Sequence, residues 1–525
     1  MTRTIVIGGG IAGLATAALL AREGHSVTVV EKNAQLGGRA GVWEKDGFRF
    51  DTGPSWYLMP EVFDHFYRLL GTSADEQLDL VQLDPGYRVY GEGHRDPIDV
   101  GANVDENLEL FESIERGSSR RLGRYLDQAR EIYQLATERF LYSTFQKLGP
   151  VFSGRVIRNG PRLLRLLLQP LDTLVNQTVH DTRLRQILGY PAVFLGSAPK
   201  LAPSMYSLMS HLDLVDGVRY PMGGFGRIIR SIADLATAEG VEVRTGFTVS
   251  RIRSSGRRAV GITGTDSRGT TVDLDAEVIV SAADLHHTET VLVTEPGLRS
   301  YPAEYWEKRT AGPSALLMML GVTGELPELE HHTLFFAKDW DAGFEAIFGD
   351  NTRIPEVPSI YVCKPSGVDA DTAPEGHENL FVLVPLPADP ALGHGGVDGT
   401  GEPVLESLAD RVVTQIAEWA GIPNLADRIV VRRTVGPADF ATDLNSWKGS
   451  ALGPAHTLRQ SAFFRSRNVS TRLSNLFYAG SSTIPGIGLP MCLISAELVL
   501  KRLRGDTSVG PLPVHDGGYG FGGIR

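Results

Sequence analysis

Three glycines near the N-terminus constrain the fold of this chain more than any other sequence feature. Gly8, Gly10 and Gly13 form the pattern G-x-G-x-x-G, which follows an apolar run at 4–7 and opens a helix-forming run at 11–23. A strand, a tight glycine turn and a helix in this order predict the start of a β-α-β unit. In such a unit the glycines allow backbone N–H groups to approach a pyrophosphate at the helix N-terminus.

A second predicted strand completes the unit. Residues 26–30 contain three valines, and Glu31 follows them roughly 20 residues beyond the last glycine of the pattern. A carboxylate at this position can accept hydrogen bonds from the ribose diol of a dinucleotide. The ordered series therefore predicts dinucleotide binding, and a glycine-rich turn without a ligand is the alternative. The segment also resembles a secretory signal, but its consecutive glycines argue against that interpretation.

Composition excludes several other classes of protein. The 525 residues are 42% hydrophobic and 22% charged, which is the balance of a globular protein larger than one simple domain. The net charge of −11 argues against nucleic acid as the main partner. Cys363 and Cys492 are too few and too far apart for a disulfide framework, and their spacing is not that of a metal site. We therefore expect a chain of the reducing cytoplasm.

Two further segments combine glycines with groups that suit a phosphate or a cofactor edge. The sequence GGR at 37–39, which ends in Gly38 and Arg39, lies shortly after Lys32. The planar guanidinium of Arg39 suits a phosphate. The segment 475–490 predicts a buried strand, a glycine-rich loop and a helix that begins near Pro490. A helix N-terminus offers free N–H groups to an anionic or electron-rich cofactor edge.

These segments, together with the sequence DTGPSW that ends in Ser55 and Trp56, resemble the flavoprotein superfamily of amine oxidases and carotenoid desaturases. The segment 475–490 resembles the bacterial-type phytoene desaturases of the carotenoid and retinoid oxidoreductase family, except that Met491 stands where that family usually has glycine. The resemblance extends over about residues 1–505. It implies FAD as the cofactor, with the GGR loop at the FAD phosphates and the D-x-G segment near the flavin ring.

The resemblance also implies a set of cofactor contacts. In relatives a valine backbone lies against the adenine, which corresponds to Val249, and Asp284 follows a predicted buried strand at the sheet edge where ligands bind. No catalytic residue follows from the sequence. The pairs His286–His287 and His331–His332 are expected at the surface or in loops, not at a metal. The expected cofactor-binding residues are Gly8, Gly10, Ile11, Ala12, Gly13, Glu31, Lys32, Gly38, Arg39, Ser55, Trp56, Val249, Asp284, Gly480, Gly488, Leu489 and Pro490.

The implied fold class is α/β. It consists of a Rossmann-like FAD-binding domain of the amine oxidase and GDI-like type, with an interleaved α+β substrate domain. Because the resembling segments are separated in the chain, each domain is expected to be discontinuous. The expected pieces are 1–70, 215–295 and 440–505 for the FAD-binding domain, 71–214 and 296–439 for the substrate-binding, membrane-facing domain, and 506–525 for a disordered tail.

A basic and apolar stretch at 154–179 is the expected contact with a membrane. It is too short and too charged to span a bilayer, but it suits the interface between lipid and water. An amphipathic helix packed on the protein core is the alternative. Since the implied substrate is a lipophilic polyene that must leave a bilayer, we expect a cytoplasmic protein, peripheral on the inner face of the cell membrane.

The resemblance implies an FAD-dependent desaturase, and stepwise conversion of phytoene towards lycopene with hydride transfer to the flavin is the hypothesis. Quinone and oxygen both stay open as the electron acceptor. A carotene cis–trans isomerase or another carotenoid oxidoreductase of the family is the alternative. A flavin amine oxidase ranks lower because 483–490 lacks aromatic residues, and a non-enzymatic prenyl-binding chaperone ranks lower because the GGR loop is intact.

Overall fold

The computed structural model describes residues 1–147, 149, 154–158 and 160–514, apart from the side chain of Arg155. The first strand β1 (Arg3–Ile7), the first helix α1 (Ile11–Arg22) and the second strand β2 (Ser26–Val30) form the predicted β-α-β unit. The two strands are parallel, and Gly10 is the N-cap residue of the helix. The motif predicted from the glycine pattern is therefore confirmed.

The other strands and helices follow in groups along the chain. The strands are β3 (Val42–Lys45), β4 (Phe48–Asp51), β5 (Leu80–Gln82), β6 (Tyr87–Gly91), β7 (Ile98–Val100), β8 (Arg219–Pro221), β9 (Glu242–Arg244), β10 (Thr248–Ser255), β11 (Arg258–Thr265), β12 (Thr271–Asp275), β13 (Val278–Ser281), β14 (Ser314–Thr323), β15 (His332–Phe336), β16 (Ile360–Cys363), β17 (His377–Leu386), β18 (Ile429–Val435) and β19 (Leu476–Tyr478). The helices are α2 (Pro60–Leu69), α3 (Ala74–Gln77), α4 (Val104–Ile114), α5 (Ser118–Ala136), α6 (Gly154–Arg158), α7 (Gly160–Leu168), α8 (Leu171–Thr178), α9 (Thr182–Gly189), α10 (Pro191–Phe194), α11 (Leu208–Leu214), α12 (Phe225–Ala238), α13 (Leu285–His287), α14 (Ala303–Trp306), α15 (Trp340–Phe348), α16 (Pro403–Ala420), α17 (Pro437–Leu444) and α18 (Leu489–Arg504).

The N-terminal unit is the centre of a parallel sheet. Within the described ranges this sheet has five strands in the order β19-β13-β1-β2-β9. Strands β13 and β19 are buried throughout, as expected of a parallel sheet covered on both faces. Helices α12 and α18 pack against α1, whose alanine-rich sequence is buried along almost its whole length and so permits close contact.

A second, mixed sheet lies beside the first. In the part of the chain that the structure describes it has the order β18-β14-β17-β16-β15-β6-β7, and only the β15–β6 pairing is parallel. Leu408 and Val412 of α16 belong to the buried cluster on one face of this sheet. The other face presents Leu317, Phe336 and Tyr361 to the cavity described below. Both sheets therefore contribute walls to one internal space.

The two sheets follow the expected interleaving. Strands of the parallel sheet fall within 1–70, 215–295 and 440–505, and strands of the mixed sheet fall within 71–214 and 296–439. The predicted α/β fold class agrees with this arrangement. The domain boundaries themselves stay a prediction.

One expectation about the chain needs correction. The tail was expected to be disordered from 506 onwards, but Val509 and Leu512 are buried, and the Leu512 N–H donates to Glu497 Oε1 at 2.6 Å. Because this segment packs on α18, the expectation is wrong for 506–514; residues 515–525 lie outside the described residues.

Candidate functional site

A cavity of about 1140 Å³ lies at the carboxyl ends of the parallel strands and extends to the mixed sheet. It brings together almost all of the residues expected to bind a cofactor. The exception is Gly13, which lies beneath the first glycine loop rather than on the cavity wall. The expected residues that line the cavity are Gly8, Gly10, Ile11, Ala12, Glu31, Lys32, Gly38, Arg39, Ser55, Trp56, Val249, Asp284, Gly480, Gly488, Leu489 and Pro490.

The first glycine loop is shaped by close backbone packing. A Cβ atom on Gly13 would lie 1.9 Å from the carbonyl oxygen of Gly8, so α1 can approach β1 only if this residue is glycine. Gly8 has a φ of 105°, in the region that favours glycine. The Gly37 N–H donates to the Gly9 carbonyl oxygen at 2.9 Å, which joins the GGR loop to the first loop. The two glycine segments thus form one backbone cradle.

Glu31 is buried at the end of β2, where it organises the same loop. Its Oε2 accepts a hydrogen bond from the Gly9 N–H at 2.7 Å, and its Oε1 accepts one from the Asn33 N–H at 2.8 Å. Each carboxylate oxygen retains a lone pair after these bonds. The side chain therefore fixes the glycine turn and has the capacity to accept hydrogen bonds from a ribose diol, a role that stays a prediction.

Arg39 spans the cavity wall from the GGR loop to the C-terminal part of the chain. Its Nε donates to the Ala451 carbonyl oxygen at 2.8 Å, and its Nη2 donates to Ser446 Oγ at 2.8 Å. Burial lowers the pKa of the guanidinium, while the Asp284 carboxylate opposes that shift. Lys32 likewise donates, through Nζ, to the Thr442 carbonyl oxygen at 2.5 Å. Both side chains are thus held in place by backbone oxygens.

The cradle fits a dinucleotide. A Cβ atom on Gly10 would have no atom closer than 3.8 Å, so the space above this N-cap residue is open to a ligand that approaches the N–H groups of α1. On the opposite wall Gly488 is the N-cap residue of α18, with a φ of 116°. Two helix N-termini therefore face the cavity, and each favours a negatively charged or electron-rich group.

Trp56 lies where the cradle meets the rest of the cavity, and it is surrounded by aromatic rings. Its indole stacks on His332 with ring centroids 4.4 Å apart, and the rings of Tyr190 and Phe194 lie 6.0 and 5.3 Å away. The neighbouring Ser55 Oγ lies 2.6 Å from the Tyr361 hydroxyl, which in turn lies 2.7 Å from His332 Nδ1. The DTGPSW segment thus joins the cradle to the aromatic side chains of the mixed sheet.

Tyr190 also connects the cavity to a buried carboxyl group. Its hydroxyl donates to Asp213 Oδ2 at 2.9 Å, and the Tyr87 hydroxyl donates to the same oxygen at 3.1 Å. Burial raises the pKa of Asp213 to about 7, although both hydrogen bonds oppose the shift. The carboxyl group behind the cavity wall therefore holds its proton more tightly than an exposed aspartic acid does.

The rest of the cavity wall is almost entirely apolar. Ile157, Leu164 and Phe463 line the cavity and are also 66%, 56% and 45% exposed, so the cavity opens to the surface between them. Such a chamber suits a long hydrocarbon and excludes water. Its other apolar walls include Ile132, Leu135, Val156, Leu163, Leu167, Val193, Leu195, Met205, Met209, Leu317, Leu334, Phe336, Trp340, Phe344 and Ile347.

The pair His331–His332 is not at the surface, contrary to our expectation. Both side chains are buried. One imidazole nitrogen of each and the Cys363 sulfur all lie within 4.8 Å of one another. Burial lowers the pKa of His331 to about 3, and the charge of Lys364 lowers it further. Burial also raises the pKa of the Cys363 thiol to about 12. These pKa shifts keep the three side chains neutral, and the positive charge of the Lys364 ammonium group disfavours binding of a cation beside them.

Sequence reasoning missed His456 and Tyr206, which both line the cavity. The imidazole Nδ1 lies 2.8 Å from the Tyr206 hydroxyl, although the two residues are 250 positions apart. No spacing in the sequence could have linked them. The guanidinium of the buried Arg465 donates to the carbonyl oxygens of Thr483 at 3.1 Å and Pro454 at 3.1 Å.

Comparison with known proteins agrees with this geometry. A family described as flavin containing amine oxidoreductase matches residues 11–499. A carotenoid 3,4-desaturase of Haloarcula japonica is 40% identical over 95% of this chain and 98% of its own length. A zeta-carotene-forming phytoene desaturase of Myxococcus xanthus is 34% identical over 95% of this chain and 93% of its own length. A 4,4'-diapophytoene desaturase of Staphylococcus aureus is 30% identical over 96% of this chain and 99% of its own length.

Solved structures share the fold at lower identity. An oxidoreductase from Methanosarcina mazei is 18% identical with a TM-score of 0.63, over 95% of this chain and all of the other. Cyclohexylamine oxidase from Brevibacterium oxydans is 15% identical with a TM-score of 0.56, over 96% of this chain and 99% of the other. The predicted fold class is confirmed by these similarities.

Proposed function

Because the chain belongs to the family of flavin-containing amine oxidoreductases, we propose that it is an FAD-dependent desaturase of carotenoids. The proposal rests on one observation. A single cavity is lined in one part by the cradle expected to hold the dinucleotide and in the rest by apolar side chains, which form the apolar chamber. The relatives that match nearly the whole chain are named as desaturases of carotenoids or their precursors. A lipophilic polyene is the substrate that fits both facts.

The chain is an FAD-dependent oxidoreductase, and its residues fit that cofactor. When bound, FAD supplies the two-electron oxidation that no side chain can perform. We assign the pyrophosphate to the N–H groups of the first glycine loop and to Arg39, and the ribose diol to Glu31. We assign the flavin end to the wall formed by Gly480 and the N-terminus of α18. These assignments are part of the proposal, and mutation of the named residues tests them.

The remaining chemistry requires position rather than a strong base. Apolar walls such as Leu317 and Phe336 exclude water and hold the polyene in an extended form. A C–H bond next to a conjugated system loses its proton readily once the neighbouring carbon is oxidised, so a weak acceptor or water suffices. Tyr190 lines the chamber and its hydroxyl donates to Asp213 Oδ2, so it is our candidate for a side chain that relays a proton at its hydroxyl oxygen.

The substrate itself is the finer part of the proposal. Conversion of phytoene towards lycopene is our first candidate, and the relative from Myxococcus xanthus is named for a reaction of phytoene. Desaturation at the 3,4 position of a preformed carotenoid is a second candidate, because the relative at 40% identity is named for it. Met491, which lines the cavity where the resembling desaturases usually have glycine, is a residue through which these activities can differ.

The experiment is a substrate panel. Purified protein loaded with FAD is incubated with phytoene or with lycopene in liposomes, with a quinone or oxygen as electron acceptor, and the pigments are separated. New conjugated double bonds in either carotenoid support the proposal and identify the substrate. Unchanged pigments with a working acceptor and bound FAD would refute it.

Other functions give different products in the same assay. A cis–trans isomerase would change the geometry of a carotenoid without changing its mass. An amine oxidase would release peroxide when amines are added, and a chaperone would bind prenyl chains without flavin absorbance. The largely apolar chamber favours the desaturase over the amine oxidase, because a charged amine is costly to bury among apolar side chains.

We further propose that the protein is peripheral on the cytoplasmic face of the cell membrane. No helix in the described parts of the chain is both long enough and apolar enough to cross a bilayer. Leu164 and Phe463 line the cavity and are exposed, and Leu168 on the helix of Leu164 and Phe464 next to Phe463 are exposed as well. Arg158, which follows the cavity-lining Ile157, is also exposed. Apolar side chains flanked by arginines suit an anionic membrane surface, and a bilayer at this opening would deliver the polyene directly.

Flotation with anionic liposomes tests the membrane contact. Replacing Leu164 and Leu168 by Asp removes two apolar contacts with the membrane, each worth about 1 kcal/mol. We therefore expect liposome binding to weaken by about tenfold or more. Val430→Asp is the matched control, since Val430 is 54% exposed and does not line the cavity. Equal flotation of all three proteins would contradict the proposal.

A further inference from the structure

His456 lies on the cavity wall, and its hydrogen bonds define its protonation state. Nε2 lies 3.3 Å from the Ile487 N–H, and Nδ1 lies 2.8 Å from the Tyr206 hydroxyl. Because a backbone N–H can only donate, Nε2 must be the acceptor. A neutral imidazole then carries its hydrogen on Nδ1, which donates to the Tyr206 oxygen.

The imidazole also lies directly against the loop 484–490. A Cβ atom on Gly486 would lie 2.3 Å from Cε1 of His456 and 2.5 Å from its Nε2, so the ring packs flush on the backbone. Burial holds the pKa of His456 well below its usual range, and the charge of Arg465 lowers it further. Arg465 in turn donates to carbonyl oxygens on both segments, 454–460 and 481–483. The ring is thus clamped in its neutral form.

We propose that His456 is a positioning residue, which fixes the 484–490 loop through the Ile487 N–H and the substrate wall through Tyr206. This loop precedes α18, whose N-terminus we assign to the flavin end, so the inference rests on the proposed function. The two bonds use the lone pair on Nε2 and the hydrogen on Nδ1 of the imidazole. His456 therefore holds the site in shape and does not accept the proton that the substrate loses.

Two replacements separate shape from chemistry. His456→Gln keeps one acceptor and one donor on the side chain but cannot titrate, whereas His456→Phe keeps a planar ring and loses both hydrogen bonds. His94→Gln is the control, because His94 is exposed. The readouts are the dissociation constant of FAD, from quenching of flavin fluorescence on titration into apoprotein, and the visible circular dichroism of the bound flavin.

We expect His456→Phe to weaken FAD binding by about tenfold, because the buried Ile487 N–H is left without an acceptor, and to change the flavin dichroism. The Gln variant should bind within about threefold of wild type and keep the wild-type pH profile of turnover. FAD binding by the Phe variant at wild-type strength would overturn the proposal. A Gln variant as impaired as the Phe variant would also overturn it, since titration of the ring would then matter.

Tyr206→Phe provides a second test that does not depend on the folding of the His456 variants. It removes the hydroxyl that accepts from Nδ1–H and keeps the imidazole, so we expect FAD binding to weaken less, by about threefold, with the same change in dichroism. Unchanged binding and dichroism would contradict the inference. If wild type binds FAD but oxidises no carotenoid, the proposed function fails while the results on His456 remain interpretable.

Discussion

Asp213→Asn is expected to stabilise the protein at alkaline pH but not at acidic pH. The Asp213 side chain is only 4% exposed, and Tyr87 and Tyr190 both donate to its Oδ2. Its Oδ1 is buried without a hydrogen-bond partner. An ionised carboxylate in such surroundings is poorly compensated, which is why burial raises the pKa to about 7. Asparagine keeps an acceptor oxygen for the two hydroxyls and carries no charge.

The magnitude follows from the two pKa values. The pKa of Asp213 is about 7 in the folded protein against the ordinary value of 3.8 for an aspartic acid, so the folded state holds the proton more tightly. Stability therefore falls as pH rises through this interval, by about 1.4 kcal/mol per pKa unit and about 4 kcal/mol in total. The amide of the variant leaves a buried donor unpaired, at a pH-independent cost of about 1–3 kcal/mol. The variant should thus be less stable below about pH 5 and more stable above about pH 8.

The assay is urea unfolding followed by tryptophan fluorescence at several pH values between those limits. Asp96→Asn is the control, because Asp96 is exposed and its removal should leave the pH dependence unchanged. The decisive quantity is the difference in unfolding free energy between variant and wild type. A difference that stays constant from acidic to alkaline pH would refute the reasoning, because it would show that Asp213 does not change its protonation state on folding.

Three further outcomes are expected. Gly13→Ala should abolish FAD binding, measured as flavin absorbance per protein, because its Cβ would lie 1.9 Å from a backbone oxygen; Gly123→Ala, with open space around it, should bind FAD normally. Tyr361→Phe should lower the free energy of unfolding by about 1–3 kcal/mol, because it removes the buried hydroxyl that contacts His332 Nδ1 and Ser55 Oγ; a loss below that range would contradict this prediction. Prolonged chelation should leave turnover and FAD content unchanged, since the ammonium beside the buried histidines and the protonated Cys363 thiol disfavour a cation; stoichiometric metal in the purified protein would show this to be wrong.

Local patterns in the sequence predicted the parts of the site that depend on neighbours in the chain. The glycine turn between β1 and α1 follows from residue type at fixed spacing, and the helix beginning near Pro490 follows from proline and apolar periodicity. The bond between His456 and Tyr206 and the stacking of Trp56 on His332 could not be predicted in this way. These contacts join residues hundreds of positions apart, and they depend on how the two sheets are placed against each other.

The strand order of the parallel sheet has a consequence for how the protein folds. β1 precedes β19 and α18 by most of the described chain, yet these distant elements complete its sheet and cover α1. A chain in which β19 and α18 have not yet docked would expose the apolar edge of its nucleotide-binding sheet. We therefore expect stable FAD binding only after these distant segments have come together.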